Sequence, residues 1–176
     1  MEHKLIIFTD IGDTIIDEGS EVRKVPFGVV QSADCIPGAK ETMLRLHEEG
    51  YRIVMVADGL TESFRRTMCQ NGLDRIFAAR SISEENGQEK PAPIMFQKAM
   101  DLMNLTDADK DRIIMVGNNT KRDILGANRF GIRSVLMSWS KRYDMVPHSE
   151  EETPDYTISC PEELLPLVEK LDAKLS

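Results

Sequence analysis

The stretch Lys4-Leu-Ile-Ile-Phe-Thr-Asp-Ile-Gly-Asp-Thr14 decides the fold of this chain. Its apolar run, residues 5–8, predicts a short strand that is buried on both faces of a parallel sheet. The run then breaks into Asp10 and Gly12, so that a carboxylate follows the strand directly. Open α/β sheets bind ligands at the carboxyl ends of their strands. Asp10 is therefore a candidate nucleophile or metal ligand, although an Asp/Gly turn is also common after strands without any function.

Strand and helix patterns alternate along the rest of the chain. Apolar runs predict further buried strands at residues 52–56, 76–82, 112–116 and 133–137, with a short edge strand at 156–158. Amphipathic patterns between and after these runs predict helices at residues 38–49, 61–69, 94–103, 121–130 and 159–171. Such an alternation is typical of a doubly wound parallel sheet with right-handed crossovers.

Length and composition narrow the class of protein. The 176 residues suit a single domain, residues 1–176, and a content of 41% hydrophobic and 30% charged residues is typical of a soluble globular chain. The net charge of -8 argues against a nucleic-acid partner bound through a basic surface, but it does not argue against a small anionic substrate. No apolar run approaches the ~20 residues that span a bilayer, and the first residues resemble no signal peptide. We therefore expect no membrane partner and a cytoplasmic location.

Three patterns together resemble the haloacid dehalogenase-like hydrolases. Asp10-x-x-x-Thr14 follows an apolar first strand, Lys90-Pro91 comes later, and the segment 113–127 reads Ile-Ile-Met-Val-Gly-Asn-Asn-Thr-Lys-Arg-Asp-Ile-Leu-Gly-Ala. The order, spacing and strand context of these motifs match that superfamily over nearly the whole chain. The resemblance implies a three-layer α/β/α Rossmann-like fold with strand order 5-4-1-2-3, which would bring Asp10 close to Asn118 and Asp123.

The resemblance also implies catalytic and substrate-binding residues. Asp10 takes the place of the family's nucleophile, which forms a covalent aspartyl intermediate with the substrate. Lys90 matches a lysine that neutralises both the carboxylate and the phosphate. Backbone N–H groups of Ile11 and Gly12 would bind phosphoryl oxygens. Asp58, directly after the second strand, is placed among the substrate-binding residues together with Lys90.

A magnesium site is implied at the same place. In the family, Mg²⁺ is held by the nucleophile, by a backbone carbonyl two residues later and by acidic groups of the fourth motif. In this chain those ligands would be Asp10, the Gly12 carbonyl, Asn118 and Asp123. Asn118 stands where an acid is usual, and an amide is a weaker ligand of Mg²⁺ than a carboxylate.

Two further motif positions differ from those of the family's phosphatases. Gly12 replaces a second Asp that protonates the leaving alcohol and then activates water. Whether the neighbouring Asp13 could take over this role is left open by the sequence. Ala57 replaces a Ser or Thr whose hydroxyl binds phosphate, and Thr61 or Thr120 could partly compensate.

The segment 15–36 lies where many members of the superfamily carry a cap domain. It is too short for a sizeable helical cap, and it could form a loop or one short helix around residues 25–30. We therefore expect a site that stays open unless a second subunit covers it, which makes a homo-oligomer an option.

Three functions follow from these observations. The first is a Mg²⁺-dependent phosphatase that acts on a small phosphorylated substrate through an aspartyl intermediate and is weak on poor leaving groups. The second is a catalytically impaired binding or regulatory protein on the same fold. The third is a dehalogenase or phosphonatase-type hydrolase, because such relatives also lack the second Asp. Those relatives, however, need residues from a cap, and this chain has little room for one.

Overall fold

The computed structural model describes residues 4–175, and a parallel sheet lies at its centre. The strands in this range are β1 (Ile6–Thr9), β2 (Val22–Arg23), β3 (Val30–Ser32), β4 (Arg52–Ala57), β5 (Phe77–Ile82), β6 (Ile113–Gly117), β7 (Arg133–Met137) and β8 (Tyr156–Ile158). Six of them pair in parallel in the order β5-β4-β1-β6-β7-β8, while β2 and β3 form a separate antiparallel hairpin.

Helices connect these strands. The α-helices in the described range are α1 (Ala39–Glu48), α2 (Thr61–Asn71), α3 (Ser83–Asn86), α4 (Pro93–Leu102), α5 (Leu125–Phe130) and α6 (Leu164–Ala173). Gly72 and Gly131 end α2 and α5 in the left-handed conformation, with φ of 73° and 85°, as glycine does most easily. No helix between residues 4 and 175 combines the length and apolarity needed to cross a membrane.

Successive residues of a strand point to opposite sides, so these apolar strands present apolar side chains on both faces of the sheet. Helices cover both faces. On one face, Ile7 and Met55 belong to a buried cluster that includes residues of α1, α2 and α6. On the other face, Phe8 and Met115 pack in a second cluster with residues of α4 and α5. Complete burial of each such side chain contributes about 1.5–3 kcal/mol. The predicted three-layer α/β/α fold is thus confirmed.

The strand order agrees with the expected one and extends it by one strand. If β1, β4, β5, β6 and β7 are renumbered 1 to 5 in chain order, their order from β7 to the β5 edge is 5-4-1-2-3. The sixth strand, β8, pairs with β7 outside this set. Consequently β1, which carries Asp10 at its end, lies between β4 and β6 in the middle of the sheet.

The segment 15–36 forms neither a plain loop nor a short helix. It contains a 3₁₀ turn at Glu18–Ser20 and then the β2–β3 hairpin, and none of its residues, all of them described, is α-helical. The helix considered around residues 25–30 is wrong because Pro26 and Gly28 both disfavour a helix interior. The hairpin tip instead exposes Phe27 to 94%.

Candidate active site

The carboxyl ends of β1, β4 and β6 meet at one edge of the sheet and carry the predicted site residues. Asp10 follows β1, and its N–H donates to the carbonyl of Val116 at 2.9 Å, so the pairing with β6 continues past the end of the strand. Asp58 follows β4 and Asn118 follows β6. A cavity of about 640 Å³ opens at this edge, and Asp10, Asp58, Asn118 and Asp123 are among the residues that line it.

The side chain of Lys90 lies among three carboxylates and is only 1% exposed. Its Nζ atom is 2.7 Å from Oδ1 of Asp123, 3.0 Å from Oδ1 of Asp10 and 4.0 Å from Oδ2 of Asp58. It also donates to the carbonyl of Val56 at 2.7 Å, and the Lys90 backbone N–H donates to Asp58 at 2.9 Å. Residues far apart in the sequence are therefore brought together as the motif order predicts.

One ammonium faces three carboxylates, so this cluster carries an excess of negative charge. Burial and the neighbouring Asp10 raise the pKa of Asp123 to about 7, and Lys90 only partly opposes them. Burial alone would lower the pKa of Lys90, but the three carboxylates outweigh it and raise that pKa. The lysine therefore stays charged, while burial and the charge of Asp10 disfavour the ionised form of the Asp123 carboxyl group.

A π-helical turn, Thr120–Ile124, turns Asp123 toward the cluster at the start of the predicted helix. The Asp123 carboxylate accepts from the N–H of Asn119 at 3.1 Å. Gly117 leaves space for it, since a Cβ atom at that position would lie 2.2 Å from Cγ of Asp123. Glycine is thus required at position 117 of the fourth motif for a steric reason, because the Asp123 carboxyl group occupies the space of a side chain there.

The site suits a divalent cation through two carboxylates rather than through a closed cage. Within residues 4–175, no three Asp, Glu, His or Cys side chains form a group that could hold a metal ion. Mg²⁺, however, usually binds through one or two carboxylates with waters and substrate phosphate, and Asp10 and Asp123 supply two. The Asn118 amide is 2% exposed, and its Nδ2 has no hydrogen-bond partner among the described residues. Turning this amide would present its oxygen instead.

Asp13 does not face the cavity. Its side chain is fully buried, with Oδ1 accepting from the N–H of Glu18 at 2.9 Å and Oδ2 accepting from Nε of Arg142 at 2.8 Å. Its φ of 47° turns the side chain away from the direction that a residue of the preceding strand would take. Asp13 is therefore placed to hold the loop together and not to protonate a leaving group.

The two hydroxyl groups considered in place of Ala57 also point elsewhere. Oγ1 of Thr61 donates to Glu85 at 2.9 Å, and Oγ1 of Thr120 donates to the carbonyl of Asp144 at 3.2 Å. Neither threonine lines the cavity. Neither hydroxyl therefore replaces the phosphate-binding hydroxyl that is missing at position 57.

Glu18 and Tyr143 line the cavity although the motifs do not include them. The Tyr143 hydroxyl donates to Oε2 of Glu18 at 3.1 Å. Burial first, and then the charge of Asp13, raise the pKa of Glu18 to about 7, with Asp10 adding to the effect and the Tyr143 hydrogen bond opposing it. Glu18 belongs to the loop after β1, and Tyr143 belongs to the polar segment after β7. Neither segment has a sequence pattern that predicts its position beside Asp10.

Arg122 is a further cavity residue that the sequence could have indicated. It stands between Asn118 and Asp123 in the fourth motif, and its guanidinium lies 3.7 Å from Asp58 and 3.5 Å from Glu89. Its side chain is 46% exposed, so it remains accessible from the cavity. Like Arg23, it places a positive charge at the wall of this cavity, beside the carboxylates of Asp10, Asp58 and Asp123.

Comparison with known proteins agrees with this geometry. A family model described as haloacid dehalogenase-like hydrolase matches residues 3–131. The chain is 33% identical over 135 residues to a glyceraldehyde 3-phosphate phosphatase from Methanopyrus kandleri, a match that covers 77% of this chain and 57% of that relative. The chain thus spans little more than half the length of this curated relative.

Solved structures share the fold at lower identity. The magnesium-bound structure of YfnB from Bacillus subtilis is 23% identical, with a TM-score of 0.66 over 77% of this chain and 56% of that one. A phosphatase structure from Thermococcus onnurineus is 15% identical, with a TM-score of 0.74 over 93% and 97% of the two chains. At these identities the comparison shows the common fold.

Proposed function

The chain belongs to the haloacid dehalogenase-like hydrolases, and from this premise we propose that it is a phosphatase of small anionic substrates. The observation that carries the proposal is the buried ammonium of Lys90, 3.0 Å from Asp10 and 2.7 Å from Asp123. A carboxylate attacks a phosphate ester only if the two negative charges are offset. Lys90 lies where it can offset both of them.

In the proposed reaction, an oxygen of Asp10 attacks phosphorus and the bond to the leaving group breaks. The phosphoryl group is then held on Asp10 as an aspartyl phosphate, which water hydrolyses in a second step. Ile11 and Gly12 line the cavity beside Asp10, and we assign their backbone N–H groups to the phosphoryl oxygens. We assign Asp58 to contacts with substrate hydroxyl groups, because its carboxylate would repel a phosphoryl group.

We further propose that Mg²⁺ is the cofactor of this reaction. When bound, it would shield the carboxylate and phosphoryl charges from each other. Its protein ligands would be Asp10, Asp123, the Asn118 side chain and the Gly12 carbonyl. The excess of carboxylates around Lys90 supports this assignment. The Nδ2 atom of Asn118 has no hydrogen-bond partner among the described residues, so the amide can turn to present its oxygen without losing a hydrogen bond from Nδ2.

We expect weak binding of Mg²⁺, and we expect Asp123→Ala to weaken it further by at least about tenfold. Loss of groups that only orient a metal ligand already costs 10–100-fold in affinity, so loss of a ligand should cost no less. Isothermal titration calorimetry measures both affinities. Asp107→Ala serves as the matched control, because that side chain is 86% exposed and pairs only with Lys110 among the described residues. Equal affinity in the parent and in Asp123→Ala would place the ion elsewhere.

Gly12 stands where the family's phosphatases carry the acid that protonates the leaving group. Gly12 has no acidic side chain, and general acid catalysis is typically worth ~10²–10⁴-fold. A site without any substitute acid would therefore be weak on alkyl phosphates, whose alkoxide is a poor leaving group. Acyl phosphates would be affected least, because a carboxylate leaves without a proton.

A binding or regulatory role is the second candidate, and the missing hydroxyl at Ala57 is the observation that favours it. Neither Thr61 nor Thr120 replaces that hydroxyl. Release of inorganic phosphate from acetyl phosphate in the presence of Mg²⁺ separates the two functions. Turnover supports the phosphatase, whereas saturable binding without turnover supports the regulatory protein. Association into a homo-oligomer stays a prediction, which light scattering would test.

A further inference from the structure

The carboxylate of Glu18 fills the space that a side chain at position 12 would occupy. A Cβ atom built on Gly12 would lie 2.2 Å from Oε1 of Glu18 and 2.9 Å from its Cδ. Both residues line the cavity that also contains Asp10. The absence of a side chain at Gly12 is thus matched by a carboxylate that reaches the same place from the 3₁₀ turn at Glu18–Ser20.

Several contacts hold Glu18 in this position. Its backbone N–H donates to the buried Asp13 at 2.9 Å, which fixes the start of the turn. Its Oε2 accepts from the Tyr143 hydroxyl at 3.1 Å and lies 3.6 Å from Nε of Arg142. Arg142 is in turn paired with Asp13 at 2.8 Å. These contacts occupy Oε2 and leave Oε1 on the side of Gly12.

We propose that Glu18 is the general acid and base of this site, in place of the carboxylate that is missing at position 12. The proposal rests on the phosphatase function proposed above. As Asp10 bonds to phosphorus, the bond between phosphorus and the leaving oxygen breaks. The leaving oxygen keeps the electron pair of that bond and accepts a proton from Glu18. In the second step, water attacks phosphorus and gives a proton to Glu18, while the Asp10–phosphorus bond breaks and inorganic phosphate is released. Asp13 is then a positioning residue, which acts through Glu18.

Glu18→Gln tests this role by its dependence on the leaving group. For an alkyl phosphate such as glycerol phosphate, kcat/KM should fall by ~10²-fold or more, because the alkoxide loses its proton donor. For p-nitrophenyl phosphate, whose leaving group needs little protonation, kcat/KM should change by less than about fivefold. The initial burst of nitrophenolate should remain while steady turnover slows, since the second step loses its base.

Glu48→Gln is the matched control, because it makes the same change in an exposed carboxylate of α1 that does not line the cavity. It should leave the ratio between the two substrates unchanged. An equal loss on both substrates in Glu18→Gln, or no loss on either, overturns the role of Glu18 while leaving the phosphatase intact. A parent protein that transfers no phosphoryl group to Asp10 overturns both proposals.

A second experiment moves the carboxylate from position 18 to position 12, which distinguishes loss of the acid from poor folding of the variant. Glu18→Ala clears the space beside Gly12, so that Gly12→Asp in the same chain can place a new carboxylate there. Glu18→Ala alone should behave as Glu18→Gln does, and the double variant should recover the alkyl phosphate activity to within about tenfold of the parent. A double variant that stays as slow as Glu18→Ala, with an unchanged melting temperature, contradicts the proposal.

Discussion

Asp10→Asn should abolish hydrolysis of phosphate esters, with a fall in kcat of at least about 10⁴-fold. Losses of this size are typical when a residue of a covalent catalytic unit is removed. The amide keeps the shape of the side chain but is a far weaker nucleophile, so no phosphoryl–enzyme bond forms. The fold should survive, because Asp10 follows β1 and contributes one of three carboxylates that surround a single ammonium. Removal of one negative charge there relieves repulsion.

Mass measurement after brief mixing with acetyl phosphate checks the chemical basis of this expectation. The parent should gain one phosphoryl group, which is absent in Asp10→Asn. Asp107→Asn is a suitable control, since it makes the same change at a carboxylate that is 86% exposed. Activity of Asp10→Asn within a few-fold of the parent would remove Asp10 from the role of nucleophile.

The sheet and its charged edge follow from the sequence for a simple reason. Buried parallel strands must be apolar on both faces. The uninterrupted apolar runs at residues 5–8 and 113–116 are therefore easily recognised in a sequence in which 30% of the residues are charged. The carboxyl ends of neighbouring parallel strands meet at one edge, and Asp10 and Asn118 lie there as expected. The arrival of Lys90 at the same edge could be predicted only through the resemblance of the motifs, since no periodicity encodes it.

The loop after β1 shows where sequence reasoning fails. Asp13 is adjacent to Gly12, and the sequence leaves open whether it could replace the missing acid. Its positive φ and its contacts with Arg142 and Glu18 direct it into the interior. Glu18 reaches the vacant place only because the chain folds back through a 3₁₀ turn. The position of Glu18 is held by contacts with Arg142 and Tyr143, which are distant in the sequence. No local sequence pattern predicts these contacts.

Lys90→Met should lower the free energy of unfolding by about 3–5 kcal/mol at pH 8, the usual cost of removing one partner of a buried ion pair. Methionine fills much of the same volume, so most of this cost is electrostatic. Without the ammonium, Asp123 and Asp10 face each other with no buried counter-charge. Urea denaturation in the presence of a chelator measures the effect. Lys98→Met, at an exposed position of α4, provides the control and should change stability by less than about 0.5 kcal/mol.

The pH dependence of this loss separates charge from packing. The pKa of Asp123 is already raised to about 7 in the folded parent, so the folded chain keeps a proton that the unfolded chain releases near pH 4. Stability from this group is therefore fully present below pH 4 and is lost as the pH rises toward 7 and beyond. Removal of Lys90 raises that pKa further, so the deficit of Lys90→Met should be largest at pH 8 and should shrink at pH 5. Asp10→Asn combined with Lys90→Met should recover part of the loss, because one of the opposed carboxylates is gone. A deficit that is equal at both pH values and unaffected by Asp10→Asn would mean that Lys90 supports the fold by packing alone.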